Sequence, residues 1–442
     1  MSQKPSVESL DKIVSLAKRR GFIFQSSEIY GGFASCYDYG PNGVELKRNV
    51  KEAWWRDMVT LRDDIVGIDA SIIMHPKVWE ASGHVACFND PLVECSKCHI
   101  RVRADKLDEM DTTSPEHRRC EHEFGEPRQF NLMFKTHLGP VQDSASVVYL
   151  RPETAQGIFV NYQNILDTTR VRIPFGVAQQ GKSFRNEVTT RRFTFRTCEF
   201  EQMEMEYFCN PSQGADIYKY WQQQRINWFI KLGVTPDRLR LRDHKEDELA
   251  HYSKACSDVE YLFPFGWSEL EGIAWRGDYD LTQHSKHSGK NLMWKDQTTG
   301  ESFRPHVVEP ALGTDRAILT FLTDAYCEEE VDGNTRVVLK FHPRIAPVKV
   351  AVFPLLRKDG HPEKATEIYR MIRERYAATY DESGNIGRRY RRQDEIGTPI
   401  CITVDHQTMQ DDTITVRNRD SLSQERVKVD AILNWLSAEF GF

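Results

Sequence analysis

The sequence predicts an α+β protein built around a β-hairpin, with a smaller α/β domain towards the C-terminal end. Residues 181–208, GKSFRNEVTTRRFTFRTCEFEQMEMEYF, contain two β-rich runs separated by a short polar loop, which is typical of a hairpin. Strand-like and helix-like segments alternate beyond a Pro-containing linker at Phe341–Pro347, which indicates a separate α/β domain. With 442 residues and 40% hydrophobic content, the chain has room for two or three domains with buried cores.

Composition and charge argue against a membrane protein, a secreted protein and a disulfide-rich protein. No apolar run reaches the length that spans a bilayer, so no membrane partner is expected. The N-terminal residues lack the apolar core of a signal peptide and include acidic side chains, so a cytoplasmic location is expected. Ten cysteines, scattered apart from one cluster, do not form the pattern of a disulfide framework. A net charge of −6 gives no support for nucleic-acid binding, but it is compatible with a local basic patch.

The elements before the hairpin follow from apolar periodicity and capping residues. A helix is predicted over Val7–Lys18, with Ser6 as its cap and Gly21 at its end. Helical spacing of apolar residues predicts a second helix over Gly43–Val59. The apolar run Ile65–Met74 predicts a strand.

A polar, turn-rich insertion is predicted over about residues 92–142. It contains a C-x-x-C pair and, later, a C-x-H pair, which together could close a tetrahedral zinc site. The candidate ligands are Cys95, Cys98, Cys120 and His122, with His99 and His117 as rivals for the fourth position. Such a zinc ion would be structural, because four protein ligands leave no open position. Free thiols in a loop are the alternative interpretation.

One face of the hairpin carries charged and aromatic side chains. Because side chains alternate along a strand, Arg185 and Glu187 are predicted to share one face of the first strand. The second strand places on one face Arg196, Phe200, Gln202, Glu204 and Glu206, and on the other Met203, Met205 and Tyr207. Guanidinium groups hold phosphates or carboxylates, a ring stacks on a base, and carboxylates hold Mg²⁺ or an ammonium group. The pattern therefore favours a site for a nucleotide bound with an acid. A solvated face with ion pairs is the alternative.

The segments after the hairpin are predicted in turn. Pro211–Leu232 is an amphipathic helix whose Trp and Tyr residues suit core packing. Beyond the linker the predicted order is strand (Val348–Leu355), helix (Glu363–Ala377), basic helix (Ile386–Ile396), strand (Ile400–Asp405), strand (Thr413–Arg419) and helix (Asp430–Phe440). Four arginines within residues 388–392 suit contacts with nucleic-acid phosphates, or else form a solvated helix face.

Three segments resemble, in order, the three motifs of class II aminoacyl-tRNA synthetases. Gly43–Val59 and the strand after it resemble motif 1, and PALGTDR at residues 310–316 resembles motif 3. FRNE at residues 184–187, followed by Arg196, Phe200 and Glu204, resembles motif 2. Further segments resemble the glycyl-tRNA synthetases of the single-chain, homodimeric type, in subclass IIa: residues 37–43 (YDYGPNG), 151–157 (RPETAQG) and 266–272 (GWSELEG).

The resemblance implies a fold and an activity. The implied catalytic domain covers residues 1–342 and is built on an antiparallel sheet flanked by helices, and an anticodon-binding domain covers 347–442. Within the first domain, motif 1 spans about 43–76, the insertion about 92–142, motif 2 about 181–208 and motif 3 about 309–327. The implied reaction activates glycine with ATP and Mg²⁺ and transfers it to tRNA(Gly). The implied assembly is a homodimer, and a structural Zn²⁺ is expected in the insertion.

The same resemblance implies a role for each matching residue. The residues implied to be catalytic are Arg185, Glu187 and Arg316. Those implied to bind ATP are Arg185, Asn186, Glu187, Phe195, Arg196, Thr197, Cys198, Glu199, Phe200, Glu269, Leu270, Gly313, Thr314, Asp315 and Arg316. Those implied to bind glycine are Arg103, Glu153, Phe200, Glu201, Gln202, Met203, Glu204, Glu309, Pro310, Ala311, Leu312 and Gly313.

Two positions depart from the family pattern. Ala311 stands where the family usually has serine, and Cys198 stands where it tends to have arginine. Two alternative functions stay open at this point. One is a non-catalytic accessory dimer that binds nucleic acid, although Arg185, Glu187, Phe200 and Arg316 all persist. The other is a class II enzyme for another amino acid such as proline, threonine or histidine.

Overall fold

The computed structural model describes residues 9–33, 35–109, 120–187, 192–250, 253–296 and 299–441. Its helices are α1 (Leu10–Arg19), α2 (Pro41–Trp55), α3 (Lys77–Ala81), α4 (His84–Cys87), α5 (Ala155–Val160), α6 (Tyr162–Thr168), α7 (Gly214–Lys231), α8 (Tyr279–Ser288), α9 (Thr314–Ala325), α10 (His361–Arg373), α11 (Ile386–Ile396), α12 (Thr408–Asp411) and α13 (Ile432–Phe440). None of the helices in these ranges is both long and apolar enough to cross a membrane.

The strands divide between the two predicted domains. In chain order they are β1 (Ile23–Gln25), β2 (Tyr37–Tyr39), β3 (Ile65–Gly67), β4 (Asn89–Glu94), β5 (Arg101–Arg103), β6 (Arg128–Asn131), β7 (Lys135–His137), β8 (Val147–Tyr149), β9 (Phe175–Phe184), β10 (Glu199–Cys209), β11 (Leu239–Asp243), β12 (Ala255–Phe263), β13 (Gly266–Gly277), β14 (Trp294–Lys295), β15 (Ser302–Phe303), β16 (His306–Gly313), β17 (Tyr326–Val331), β18 (Asn334–Leu339), β19 (Val350–Pro354), β20 (Ala378–Tyr380), β21 (Ile400–Val404), β22 (Thr413–Asn418) and β23 (Gln424–Lys428).

A seven-stranded sheet organises the larger domain, in the order β11-β12-β13-β16-β10-β9-β3. Its neighbouring strands run antiparallel, except that β3 pairs parallel with β9. Strands β9 and β10 pair continuously from Phe184 opposite Glu199 to Phe175 opposite Phe208. The predicted hairpin and the predicted α+β class are therefore confirmed.

Hydrophobic cores cover most of this sheet and leave part of one face open. On one face, Met203 and Met205 of β10 belong to the main core, together with residues of α2, α7 and α9 such as Phe321. On the other face, Phe208 packs with Phe159 of α5 and with residues of α6 and α8. Because side chains alternate along β10, the polar residues that precede Phe208 on its face point into the uncovered part.

The predictions for the first elements need correction. Helix α1 begins at Leu10, and its cap is Ser9, whose Oγ accepts a hydrogen bond from the Asp11 amide at 3.1 Å. The predicted cap Ser6 lies outside the described residues. Gly21 follows the helix with φ of +66°, which fits the predicted end.

The strand predicted over Ile65–Met74 is wrong beyond Gly67, where β3 ends. The carbonyl of Ala70 accepts a hydrogen bond from the buried guanidinium of Arg151 at 2.7 Å, so the chain there is tied to a side chain instead of a strand. Helix α2 agrees with the prediction, and it continues into a π turn over Arg56–Thr60.

The insertion contains more regular structure than its polar composition predicts. Strands β5, β4 and β6 form a three-stranded antiparallel sheet, and β7 pairs with β8. The rival zinc ligand His117 lies outside the described residues. The other rival, His99, is exposed, and its Nδ1 lies 3.2 Å from the Glu94 carboxylate.

The C-terminal domain has the predicted alternation of strands and helices. Its sheet has the order β20-β19-β21-β22-β23, with parallel pairs around β19 and antiparallel pairs from β21 onwards. The short strands β20 and β23 were not predicted, because three to five residues with little apolar periodicity give no local signal. A buried core from α10, α13 and the sheet fills this domain.

The arginine-rich helix α11 corrects the prediction of four phosphate contacts. Arg389 is 2% exposed, and its guanidinium donates to the carbonyls of Pro354, Glu382 and Gly384. Arg392 is paired with Asp381 at 2.5 Å. Arg388 and Arg391 are exposed, so only these two remain available to a ligand.

Candidate active site

A cavity of about 230 Å³ opens where the ends of β10, β13 and β16 meet the start of α9. It is lined by Glu153, Arg185, Glu187, Thr194, Phe195, Arg196, Thr197, Phe200, Gln202, Glu204, Glu269, Gly272, Glu309, Ala311, Gly313, Asp315 and Arg316. Cations and aromatic rings cluster at one end, and carboxylates cluster at the other. The cavity therefore has two ends of different chemistry.

Arg185 is held rigidly at the cationic end. Its Nε donates to the carbonyl of Pro152 at 3.0 Å. Its guanidinium lies 5.4 Å from the ring centroid of Phe88 and 5.3 Å from that of Phe200, within cation–π distance of both. A guanidinium held in this way is preorganised to receive an anion.

Two arginine–carboxylate pairs complete this end. Arg196 lies 3.4 Å from Glu187, and Arg316 lies 3.0 Å from Glu269. Arg316 also donates from Nε to the carbonyl of Phe195 and lies 4.5 Å from the centroid of that ring. The charge of Arg316, opposed by burial, lowers the pKa of Glu269. With Arg185, three guanidinium groups face two carboxylates, so this end attracts a polyanion.

Three carboxylates define the acidic end, two of them buried and that of Glu153 half-buried. Glu204 lies on β10, Glu309 on β16, and Glu153 in the turn before α5. One oxygen of Glu204 accepts from the Thr154 hydroxyl, and the other accepts from Gln202 Nε2 at 3.3 Å.

Arg276 of β13, which is 3% exposed, links these carboxylates to a wider network. It donates to Glu309 at 2.5 Å and to both oxygens of Asp280 at 2.8 and 2.9 Å. Gln156 joins Asp280 to Glu153 through its amide, with distances of 2.9 and 3.0 Å.

The pKa values of the three carboxylates at the acidic end are shifted in different directions. Burial, together with the charges of Glu309 and Glu153, raises the pKa of Glu204 to about 8. Burial also raises the pKa of Glu309, although Arg276 opposes it. Burial opposes ionisation of Glu153 as well, but His84 at 3.4 Å, together with Arg276 and Gln156, outweighs burial and lowers the pKa of Glu153. The pocket thus holds more carboxylates than cations, which suits an ammonium group.

Two details of the predicted strand face are wrong. Strand β9 ends at Phe184, so Arg185 and Glu187 lie in the loop after it, and Arg196 precedes β10. They still line the cavity, since the Arg185 amide donates to the Cys198 carbonyl at 2.9 Å and the Asn186 amide donates to the Leu132 carbonyl at 2.8 Å. The face prediction holds for the residues within β10 itself.

Several residues implied by the resemblance lie away from the cavity. Met203, Leu270 and Leu312 are in the main core. Glu201 turns to the opposite side, where Lys47 lies 3.1 Å away. Strand alternation explains both results, because consecutive residues of one strand cannot all face one ligand.

Other residues of the implied set do not line the cavity either. Arg103 pairs with Asp90 at 2.9 Å, and Glu199 pairs with Lys182 at 2.6 Å. Cys198 is half-buried, with its Sγ 4.0 Å from the Glu187 carbonyl. Residues of the implied set that do not line the cavity are Arg103, Asn186, Cys198, Glu199, Glu201, Met203, Leu270, Pro310, Leu312 and Thr314.

Several residues that shape the acidic end were not predicted from the sequence. These are His84, Thr154, Gln156, Gly272, Arg276 and Asp280. A signal existed for Arg276, since an arginine within the otherwise apolar strand segment of residues 272–277, GIAWRG, demands a buried partner. His84 gave no such signal.

The four predicted zinc ligands converge in the insertion. Their ligand atoms all lie within 4.8 Å of one another, and Cys95 is 0% exposed. Cys95 Sγ lies 3.9 Å from Cys120 Sγ, and Cys98 Sγ lies 3.4 Å from His122 Nδ1. A tetrahedron with typical Zn–S and Zn–N bonds has edges of about 3.8 and 3.6 Å, so these donors fit the ion. We refer to the four residues as the zinc cluster.

Comparison with known protein families identifies the class of protein to which the chain belongs. Residues 134–325 match the family model described as tRNA synthetase class II core domain (G, H, P, S and T). Residues 349–439 match the model described as anticodon binding domain. The chain therefore has a class II tRNA synthetase core followed by an anticodon-binding domain.

Full-length relatives then identify the family. The chain is 52% identical over 437 residues to a glycine--tRNA ligase of Treponema denticola, covering 98% of this chain and 97% of the relative. It is 52% identical over 436 residues to one of Borreliella burgdorferi, covering 97% of each. It is 51% identical over 462 residues to one of Caldanaerobacter subterraneus subsp. tengcongensis, covering 99% of this chain and all of the relative. The chain belongs to the glycine--tRNA ligase family.

Proposed function

We propose that this chain activates glycine with ATP at the cavity and transfers the glycyl group to tRNA(Gly). The observation that carries the proposal is that one cavity joins three guanidinium groups to a buried cluster of carboxylates. A nucleotide triphosphate matches the first end, and the ammonium group of an amino acid matches the second. The names of the relatives add the amino acid and the tRNA.

In the first step, a carboxylate oxygen of glycine attacks the α-phosphorus of ATP, the bond to the β-phosphate oxygen breaks, and pyrophosphate leaves. Arg185, at the cationic end, would hold both the α-phosphate and the glycine carboxylate. Arg196 and Arg316 would hold the rest of the nucleotide, with the Phe200 ring against adenine. In the second step, a ribose hydroxyl of the tRNA displaces AMP from glycyl-adenylate. Both steps need positioning and charge stabilisation, and neither needs a nucleophile from the protein.

Glycine would be selected by exclusion. Glu153, Glu204 and Glu309 would receive the ammonium group, and their side chains would occupy the space that a larger amino acid needs. On the sheet, Ala311 lies between Glu204 on one neighbouring strand and Gly272 on the other. Packed strands form a rigid wall, and a rigid wall can reject a methyl group more strongly than a flexible apolar pocket can.

Two metal ions belong to the proposal. The carboxylates of Glu187 and Glu269 at the phosphate end would hold Mg²⁺, whose charge would neutralise the phosphate oxygens. The zinc cluster would hold a structural Zn²⁺ that joins the two halves of the insertion. All four of its donors are protein side chains, so this ion would take no part in the reaction.

The proposed activity assigns one role to each of the two domains. Residues 1–342 would form the catalytic domain, and residues 347–442 would bind the anticodon region of the tRNA. Arg388 and Arg391 are exposed on α11 and would contact tRNA phosphates. We further propose a cytoplasmic homodimer of the single-chain, subclass IIa type. Apolar side chains exposed along residues 29–44, including Ile29 at 89% and Tyr30 at 87%, support a partner surface.

The test is ATP–pyrophosphate exchange measured with each of the twenty amino acids. We expect exchange with glycine and none with alanine, proline, threonine or histidine. Arg185→Ala should reduce glycine-dependent exchange at least about a hundredfold, since one charged donor to a transition state is worth ~3 kcal/mol. Arg388→Ala, an exposed arginine on the other domain, is the matched control and should exchange normally. Near-normal exchange by folded Arg185→Ala would refute the assignment, and exchange with another amino acid would identify a different synthetase.

A further inference from the structure

We propose that Glu206 is a neutral carboxylic acid that donates its proton in a hydrogen bond to Glu309 and so positions the carboxylate that receives the substrate ammonium group. The proposal rests on the proposed function for the identity of that substrate. Glu206 itself does not line the cavity. It is therefore a positioning residue that acts through Glu309.

The first observation is where Glu206 lies. It follows Glu204 by two residues on β10, so both side chains are on the same face of the sheet. Its exposed fraction is 0%. One carboxylate oxygen from each of Glu204, Glu206 and Glu309 lies within 4.8 Å of the other two. Three acidic groups thus occupy one buried space.

The second observation is that neither carboxylate oxygen of Glu206 receives a hydrogen bond from any donor among the described residues. The neighbouring guanidinium, Arg276, donates instead to Glu309 at 2.5 Å and to Asp280 at 2.8 and 2.9 Å. An ionised carboxylate without a donor or counter-ion is costly to bury. Glu206 is spared that cost when it carries a proton.

The charges that face Glu206 agree with this protonation state. Burial and the charge of Glu309 raise its pKa well above the usual value, although Arg276 opposes them. The charge of Glu204 also raises the pKa of Glu206. With its proton, Glu206 becomes a hydrogen-bond donor beside an acceptor, Glu309. Two like-charged neighbours are thereby converted into a hydrogen-bonded pair.

The consequence for binding concerns the orientation of Glu309. Arg276 holds one oxygen of that carboxylate from one side, and the proton of Glu206 would hold the carboxylate from β10. A carboxylate fixed by two partners keeps its remaining lone pairs directed at the cavity, and a carboxylate with one partner can rotate. A neutral Glu206 also leaves the acidic end with one negative charge fewer, which matters because the glycine carboxylate must lie close by.

The test compares Glu206→Gln with Glu206→Leu in glycine-dependent pyrophosphate exchange. Glutamine keeps the shape and an N–H donor without charge, so its KM for glycine should stay within about threefold of wild type. Leucine has no donor, and the lost hydrogen bond to a charged group should raise the glycine KM about tenfold or more. The KM for ATP should change less than about twofold in both variants. Equal damage in both variants, or a parallel rise in both KM values, would overturn the proposal.

A spectroscopic measurement keeps the proposal testable if Glu206→Leu does not fold. The infrared difference spectrum between wild type and Glu206→Gln at neutral pH should show loss of one C=O stretch of a protonated carboxylic acid. Loss of an ionised carboxylate band instead would overturn the proposal. The result does not depend on which substrate the enzyme uses, so a failure of the proposed function and a failure of this proposal are distinguishable.

Discussion

Glycine binding should depend on pH through Glu204. Burial and the charges of Glu309 and Glu153 raise the pKa of the Glu204 carboxyl to about 8. The Thr154 hydroxyl and the charge of Arg276 act in the opposite direction and lower it. An ammonium group is bound by the ionised form. Below pH 8 the free enzyme holds a proton on Glu204 that must leave when glycine enters, so affinity should rise as pH rises.

The magnitude follows from the fraction ionised. With a pKa of about 8, roughly one-tenth of Glu204 is ionised at pH 7 and roughly one-hundredth at pH 6. If ionisation is required, the KM for glycine should fall by up to about tenfold per pH unit between pH 6 and 8 and then level off. That is ~1.4 kcal/mol of binding free energy per unit.

Two assays measure this dependence. Pyrophosphate exchange gives the KM for glycine across pH 6–8.5, with the KM for ATP as an internal reference. Calorimetric titration with glycine in two buffers of different ionisation enthalpy counts the protons released, and we expect close to one at pH 7. Glu204→Gln cannot titrate and should bind glycine weakly at every pH. A glycine KM that varies less than twofold between pH 6 and 8, with no proton release, would refute the reasoning.

Three further predictions concern other parts of the chain. Ala311→Ser returns a hydroxyl beside Glu204. The KM for glycine should fall about fivefold, because one hydrogen bond contributes about 1 kcal/mol. An unchanged KM would mean that position 311 makes no polar contact with glycine. Elemental analysis should find about one zinc per chain, and Cys98→Ser should lose it and lower the melting temperature; a zinc-free, fully stable wild type would show ordinary thiols. Arg388→Ala/Arg391→Ala should raise the KM for tRNA and reduce its salt dependence while leaving pyrophosphate exchange intact; equal losses in both reactions would exclude a separate tRNA-binding role.

Local sequence patterns determined the elements and part of the site. The period-two pattern of β10 was sufficient to separate Phe200, Gln202 and Glu204, which line the cavity, from Met203 and Met205, which are in the core. Periodicity also gave helix α11 with the bounds that the structure has. These features depend on neighbours a few residues apart, so the sequence contains the information directly.

Tertiary structure decided what depends on distant partners. Arg276 and Glu309 are 33 residues apart along the chain and meet because β13 pairs with β16, with Ala274 opposite Glu309 and a shift of register at Arg276. His84 reaches Glu153 from a separate helix. Arg389 is buried where its guanidinium donates to the carbonyl of Pro354, 35 residues earlier in the chain.

Tertiary structure also decided the protonation states of the carboxyl groups at the acidic end. The proton proposed on Glu206 depends on burial and on the charge of Glu309, which lies on a different strand. Composition and periodicity therefore specified which residues the cavity could use. The strand register and the exclusion of water decided which of them are charged, since the energy of a carboxylate depends on the groups that the fold places around it.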